Sequence, residues 1–365
     1  MYSILKENNE PRKEVNLDTW HKAGYTGKGV NVLVLDLNGK IYDYMKEYAI
    51  LIDPAKKTVN DGKHNTYVTQ VNHEASPEAT IYVAPWTHSS KEIIQWLKDN
   101  PNLIDIAGAS LTSPVTDAYN IFEELGIVFT ASSGNDYDRS RQGVNFPADM
   151  NYSIAVGAYN WKDKGQNSND VIDYSNGGED LWCLGLSNVY VQNEDRTNTF
   201  AYTGTSTSRP FLTGMLACYI QWRKESGLPK LTQKEAKEFI KNNCIDIRAE
   251  NFDWDSGFGL FKLPSSIPVI EKIIIPEPEL IIINPIKEVT PLPTQTKKIL
   301  NHVLSTPYLK LEEAQVKADE LKAKGITTYL VHSLQFNAFS SEQNGINQQN
   351  KLLDEEGIVT YIAKY

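Results

Sequence analysis

Ser206 stands in the stretch Tyr202-Thr203-Gly204-Thr205-Ser206-Thr207-Ser208-Arg209-Pro210, a Gly-Thr-Ser turn that runs into an apolar, helix-like segment. This places a serine hydroxyl at a helix N-terminus, where backbone N–H groups and the helix dipole stabilise developing negative charge. A serine so placed is a nucleophile if a base lies beside it, and otherwise an ordinary helix cap. Two upstream segments can supply the base and an acid to orient it. Val30–Leu35 is a short, β-branched apolar run that ends in Asp36, followed by the turn signal Leu37-Asn38-Gly39. Lys63-His64-Asn65-Thr66-Tyr67-Val68 supplies a histidine, a side chain whose unperturbed pKa near ~6.5 suits proton exchange near neutrality. Read without companions, Asp36 is a turn aspartate and His64 a surface histidine in a polar loop.

The elements that must hold these groups alternate through the first two thirds of the chain. Val30–Leu35, Thr80–Ala84, Leu103–Ser110 and Ile127–Ala131 read as strands; Lys91–Asp99 and Val115–Leu125 read as helices. Such alternation predicts an α/β fold, a parallel sheet covered by helices, with its site at the C-terminal ends of the strands. Asp36 and Asn135 both fall at such ends. From Phe211 to Trp222 the apolar residues recur at helical spacing, the mark of a core helix that would hold Ser206 rigidly. Thr232 and Glu235 form the capping box of a further helix.

The same residues resemble the subtilisin-like serine proteases. The chain order Asp36, His64, Ser206 is that family's order. Its Asp-Thr-Gly, His-Gly-Thr-His-Val and Gly-Thr-Ser-Met-Ala-Ala-Pro patterns are similar to Asp36-Leu37-Asn38, His64-Asn65-Thr66-Tyr67-Val68 and Gly204–Pro210. Gly126–Asn135 resembles the strand leading to the family's oxyanion-hole asparagine. Phe146-Pro147-Ala148 before Ile154–Ala158, and Gly257-Phe258-Gly259, resemble two further family segments. The resemblance spans roughly 17–264 and implies roles for particular residues. Ser206 would be the nucleophile, His64 the general base, Asp36 its orienting acid and Asn135 an oxyanion donor. Ser110-Leu111-Thr112 would pair with the substrate backbone, and Ala131-Ser132-Ser133-Gly134 would wall the pocket for the residue before the cleaved bond.

Departures from the pattern concern glycines and small residues. Thr112 replaces a glycine, so the substrate backbone would meet a side chain. Asn65, Tyr67 and Gln70 stand where the family has glycine, histidine and glycine. Arg209 places a charge where the family packs a methyl group, and is expected either to pair with a local acid or to rest on the surface.

Bulk properties narrow the alternatives. A composition of 41% hydrophobic and 22% charged residues is globular, and 365 residues suggest about two domains. The net charge of -10 argues against nucleic acid and anionic membranes as partners. Cys183, Cys218 and Cys244 each sit in an apolar setting, which reads as buried thiols rather than a disulfide framework. No cofactor is expected; calcium is common in the family, but no ligands are assigned here and no metal motif is visible. The N-terminus turns polar too soon for a secretion signal, pointing to a cytoplasm or a particle assembled in one, such as a phage virion.

The expected organisation is a leader over 1–16, with Met1–Pro11 lying across the cleft, a subtilisin-like peptidase domain over 17–264, a Pro/Ile-rich linker over 265–297 and a small α+β domain over 298–365. In the last, Glu312–Lys324 reads as a helix and Ile326–Val331 and Ile358–Ala363 as strands, and the segment Leu311–Val331 is loosely similar to the helix-then-strand of peptidoglycan-binding SPOR domains. Two functions follow: a serine endopeptidase acting on extended polypeptide, or a catalytically weak or inactive binding protein on the same fold. In the second, the C-terminal domain docks on a phage particle, a cell-wall component or another protein.

Overall fold

The computed structural model describes residues 4–37, 39–54, 63–112, 117–163 and 170–269. The expected linker beyond 269 and the C-terminal domain lie outside the described residues. The chain divides into compact units at 1–272 and 273–365.

The first unit is built on nine strands. They are β1 (Asn31–Asp36), β2 (Ala49–Leu51), β3 (Thr80–Pro85), β4 (Ile106–Ala109), β5 (Val128–Ser132), β6 (Ile154–Tyr159), β7 (Leu181–Leu186), β10 (Cys244–Ile245) and β11 (Leu260–Phe261). A separate hairpin joins β8 (Val189–Gln192) to β9 (Thr199–Tyr202). The helices are α1 (Asn9–Glu14), α2 (Leu17–Lys22), α3 (His64–Ala75), α4 (Trp86–Asp99), α5 (Asn120–Glu124), α6 (Thr205–Glu225) and α7 (Gln233–Asn242). The sheet order is β10-β11-β7-β6-β5-β4-β1-β3-β2, and only the β10–β11 pair is antiparallel. This is the parallel α/β sheet flanked by helices that the sequence pattern predicts.

β1 shows why the apolar runs carry that prediction. Its residues from Val32 to Asp36 are all buried, so both faces of the strand are covered, as parallel sheets require. Val34 packs with Val68 of α3 and with Ile81 and Val83 of β3. Leu33 and Leu35 belong to the larger cluster, which includes Trp86, Ile93 and Leu97 of α4. The helix expected over Val115–Leu125 is shorter: a 3-10 turn at Asp117–Tyr119 leads into α5, and 113–116 lie outside the described residues.

Two helices deliver the site. α6 is buried from Thr205 to Arg223 and crosses α3 where Gly214 meets Ala75; a Cβ at Gly214 would lie 2.5 Å from that of Ala75. Asn72 of α3 donates its amide to the Pro210 carbonyl oxygen at 3.2 Å, tying the helices together beside the site.

The described N-terminal residues pack against the far end of α3. Leu5 N–H donates to the Glu74 carboxylate at 2.9 and 3.1 Å, and Arg12 pairs with the same group at 2.9 Å. Asn8 exchanges two hydrogen bonds with the backbone of Tyr190 in β8. His64 opens α3, ten residues or about 15 Å from Glu74. Residues 4–16 are therefore seated away from the helix end that carries His64, rather than across the cleft.

Candidate active site

Three adjacent strands end at the site. β1 ends in Asp36, β4 is followed by Ser110, and β5 ends in Ser132, three residues before Asn135. Their order, β5-β4-β1, brings together segments far apart in sequence.

The Asp36 side chain is fully buried, and both of its oxygens contact Nδ1 of His64, at 2.9 and 2.8 Å. Leu37 N–H adds a third bond to Oδ1 at 2.7 Å. With Nδ1–H donating to a carboxylate, the lone pair of neutral His64 lies on Nε2. The His64 ring is 35% exposed and meets Tyr202 edge-on at 6.2 Å. Burial, with the Asp36 charge adding to it, pushes the Tyr202 hydroxyl well above its ordinary value, so it stays a neutral phenol beside His64.

Ser206 is the second residue of α6. Gly204 caps the helix with φ of +117°, a conformation natural to glycine. A Cβ on Gly204 would begin 3.6 Å from Ser206 N and 3.7 Å from Asn135 Nδ2. Two amide donors therefore flank the space that the missing side chain leaves. The Asn135 carbonyl oxygen is occupied: it accepts from Thr205 N–H at 2.9 Å and Thr205 Oγ1 at 3.1 Å. That pairing fixes which end of the Asn135 amide is left to donate.

Ser206 Oγ makes a long contact, 3.4 Å, to the Ser110 carbonyl oxygen. Among the described residues no hydrogen bond joins it to His64. Catalytic hydrogen bonds are often unformed before substrate binds.

The expected substrate-binding residues lie at this same end of the sheet. Ser110, Leu111, Ala131 and Ser133 are buried, Ser132 and Gly134 half-buried, and Thr112 exposed. Ser132 Oγ donates to the Thr205 carbonyl oxygen at 3.0 Å and lies 3.2 Å from Ser110 Oγ. Gly134 has φ of +117°, a conformation that favours glycine, and a Cβ there would lie 2.5 Å from the side-chain amides of both Asn145 and Asn176.

Arg209 corrects an expectation. It does not rest on the surface, and among the described residues it pairs with no acid: it is fully buried and donates from Nε and Nη2 to Ser110 Oγ at 3.0 and 2.8 Å. Two further parts were missed in the sequence. Gln70 accepts from Gln192 N–H at 2.8 Å and donates to the Gln192 carbonyl oxygen at 3.0 Å. Asn8 does the same at Tyr190, so two side-chain amides cover the free edge of β8. Gln70 in place of the family's glycine was the available signal for the first of these.

Comparison with known proteins bears on what this arrangement does. A model of the subtilase family matches residues 60–260, more than half of the 365-residue chain. The chain belongs to the subtilase family. The matched span contains His64, Asn135 and Ser206 and begins after Asp36, which joins the site through its contact with His64. This subtilase is similar in fold to the prenylagaramide maturation protease PagA, with 16% identity and a TM-score of 0.53 over 67% of this chain and 95% of that one. It is likewise similar to a lanthipeptide protease, with 16% identity and a TM-score of 0.54 over 71% and 94%. No curated protein sequence matches it significantly. Among the described residues of the subtilase, no group of three His, Cys, Asp or Glu side chains is arranged to hold a metal ion, and no helix is long and apolar enough to cross a membrane.

Proposed function

We propose that this subtilase is a serine endopeptidase that cleaves extended polypeptide through an acyl-enzyme, with Ser206 as nucleophile. Family membership supports serine-type peptidase activity in general. The observation that carries the finer reading is the two-oxygen contact of buried Asp36 with His64 Nδ1. It presents Nε2 as the base and prepares a counter-charge for the imidazolium that forms when His64 takes the serine proton.

The steps follow from the groups present. The Ser206 hydroxyl turns from the Ser110 carbonyl toward Nε2 and attacks the scissile carbonyl carbon, its proton passing to His64. The carbonyl oxygen becomes an oxyanion in the space beside Gly204, with Ser206 N–H and Asn135 Nδ2 as donors. His64 gives its proton to the leaving amine, and the acyl-enzyme remains. Water then attacks the ester with His64 again as base, releasing the carboxylic acid and restoring the serine. The substrate would lie along Ser110–Thr112 as an added strand, with the side chain before the scissile bond beside 131–134.

Labelling with a fluorescent fluorophosphonate tests the assignment. Wild type is expected to label covalently, and Ser206→Ala and His64→Ala to lose labelling while remaining folded. Folded wild type that fails to label would favour the second reading, a binding protein on a peptidase fold, for which the present orientation of Ser206 Oγ is the one supporting observation.

A further inference from the structure

Arg209 is the group in this molecule whose placement the reaction scheme leaves unexplained. It sits on α6 one turn beyond Ser206, and its side chain is completely buried. Burial pulls its pKa down to about 9, against which the nearby charge of Asp36 acts weakly. Among the described residues no carboxylate lies within ion-pair distance of it, and its Nη1 has no hydrogen-bond partner. A buried cation without a paired acid costs stability that an apolar side chain of similar length would not. The surroundings are nevertheless shaped to take it. Gly108 lies where a Cβ would collide with the guanidinium.

What the guanidinium holds is Ser110. Nε and Nη2 both donate to Ser110 Oγ, and the same oxygen is approached by Ser132 Oγ at 3.2 Å. Ser110 in turn touches the nucleophile twice. Its carbonyl oxygen accepts from Ser206 Oγ at 3.4 Å, and its hydroxyl lies 3.5 Å from the Ser206 carbonyl oxygen. That carbonyl has lost its ordinary helical partner, because Pro210, four residues on, has no N–H to give. A rigid, forked donor is suited to fixing one oxygen through two converging bonds, which a single ammonium on a flexible stem does not reproduce.

We propose that Arg209 is a positioning residue for peptide cleavage: by holding Ser110 from behind, it fixes the segment against which both the Ser206 hydroxyl and the substrate backbone are aligned. The proposal rests on the reading of Ser206 as nucleophile. Arg209 itself touches neither substrate nor reacting atoms; its effect passes through Ser110.

The test compares wild type with Arg209→Met, Arg209→Lys, Ser110→Ala and the double variant Arg209→Met/Ser110→Ala. The readouts are the rate of fluorophosphonate labelling, kcat and KM on one peptide substrate, and the melting temperature. Arg209→Met is expected to label about 10- to 100-fold more slowly and to lose kcat by a similar factor, the usual size for a charge-assisted hydrogen-bond pair. Its melting temperature should not fall in proportion. Ser110→Ala should lose as much, and the double variant should lose little more than either, because both substitutions break one link. Arg209→Lys should recover only part of the rate. Labelling and kcat of Arg209→Met within about twofold of wild type would reduce Arg209 to a core filler. Losses that multiply in the double variant would show that it acts by another route. Should Arg209→Met fail to fold, Ser110→Ala decides: wild-type labelling and kcat there overturn the proposal. Folded wild type that does not label removes the Ser206 reading and this proposal together, whereas a labelling wild type beside an equally labelling Arg209→Met removes this one alone.

Discussion

The two halves of the candidate site are held in different ways. Asp36 and His64 meet directly, at 2.8 and 2.9 Å, at the junction of a strand end and a helix start. Ser206 and Asn135 are arranged through intermediaries: Thr205 holds the Asn135 carbonyl, and Ser110, backed by Arg209, receives the Ser206 hydroxyl. The Asp36–His64 half is already in direct contact, from the end of β1 to the start of α3. The Ser206–Asn135 half is held by side chains, and its hydroxyl contacts the Ser110 carbonyl oxygen. Substitutions in the first half should therefore act on chemistry alone, and those in the second on chemistry and alignment together.

The largest effect should come from Asp36→Asn. An amide in this place can donate to His64 Nδ1, which favours the tautomer with the proton on Nε2 and removes the base. A fall in kcat of about 10⁴-fold is expected, with KM little changed. A loss under tenfold would mean that the preassembled pair is not the working one. Next is Asn135→Ala, which removes one oxyanion donor and is expected to cost about 10²–10³ in kcat. It also frees Thr205, so a rise in KM alongside would mark the coupling peculiar to this half. Loss of kcat with KM fixed would instead make the two halves alike.

Asp36 was legible in sequence for a physical reason, whereas the helix that His64 opens was not read. Asp36 closes an apolar run that forms a strand buried on both faces, and such runs report their own ends. Ser206 was readable as a helix start because Gly204 and the apolar stripe beyond it are local signals. The Arg209–Ser110 link was not readable. It joins residues 99 apart in sequence, and no local pattern says whether a buried arginine will meet a carboxylate or a hydroxyl. Likewise the pairing of Asn8 and Gln70 with β8 depends on where the hairpin edge falls in space, which composition does not record. Phe211–Trp222 signalled the helix correctly while understating its reach, since α6 begins at Thr205 and runs to Glu225.

Gln70 gives a smaller and different test of the comparison. It sits on α3, the helix that His64 opens, yet it holds β8, whose hairpin partner β9 runs into the Ser206 turn. Gln70→Ala leaves the Gln192 N–H and carbonyl without their side-chain partner and is expected to lower stability by about 1–3 kcal/mol in chemical denaturation. Activity should fall less than in Asn135→Ala. A larger fall would mean that the hairpin transmits alignment from one half to the other.

The effect furthest from the chemistry concerns the far end of α3, where burial outweighs pairing. Glu74 and Arg12 contact at 2.9 Å with both side chains nearly inaccessible, yet burial raises Glu74 to about 7 and lowers Arg12. A carboxyl raised in the folded state stabilises the fold fully below its ordinary value of 4.5, and that contribution is lost as pH climbs to about 7. His21 and His73 carry the opposite sign. Burial lowers each from 6.5 to about 4, so their contribution is full above 6.5 and lost as pH falls toward 4. The two trends oppose one another across one window, which flattens the dependence of wild type. Glu74→Gln removes one of them. Its stability should fall more steeply than that of wild type on acidification from pH 7 to 4.5, by up to roughly 3 kcal/mol across the window. The loss of Arg12's partner adds a cost that does not depend on pH, so the slopes rather than the absolute values carry the test. Melting curves that stay parallel for the two proteins would show that Glu74 titrates alike folded and unfolded, and that at this end of α3 pairing offsets burial in full.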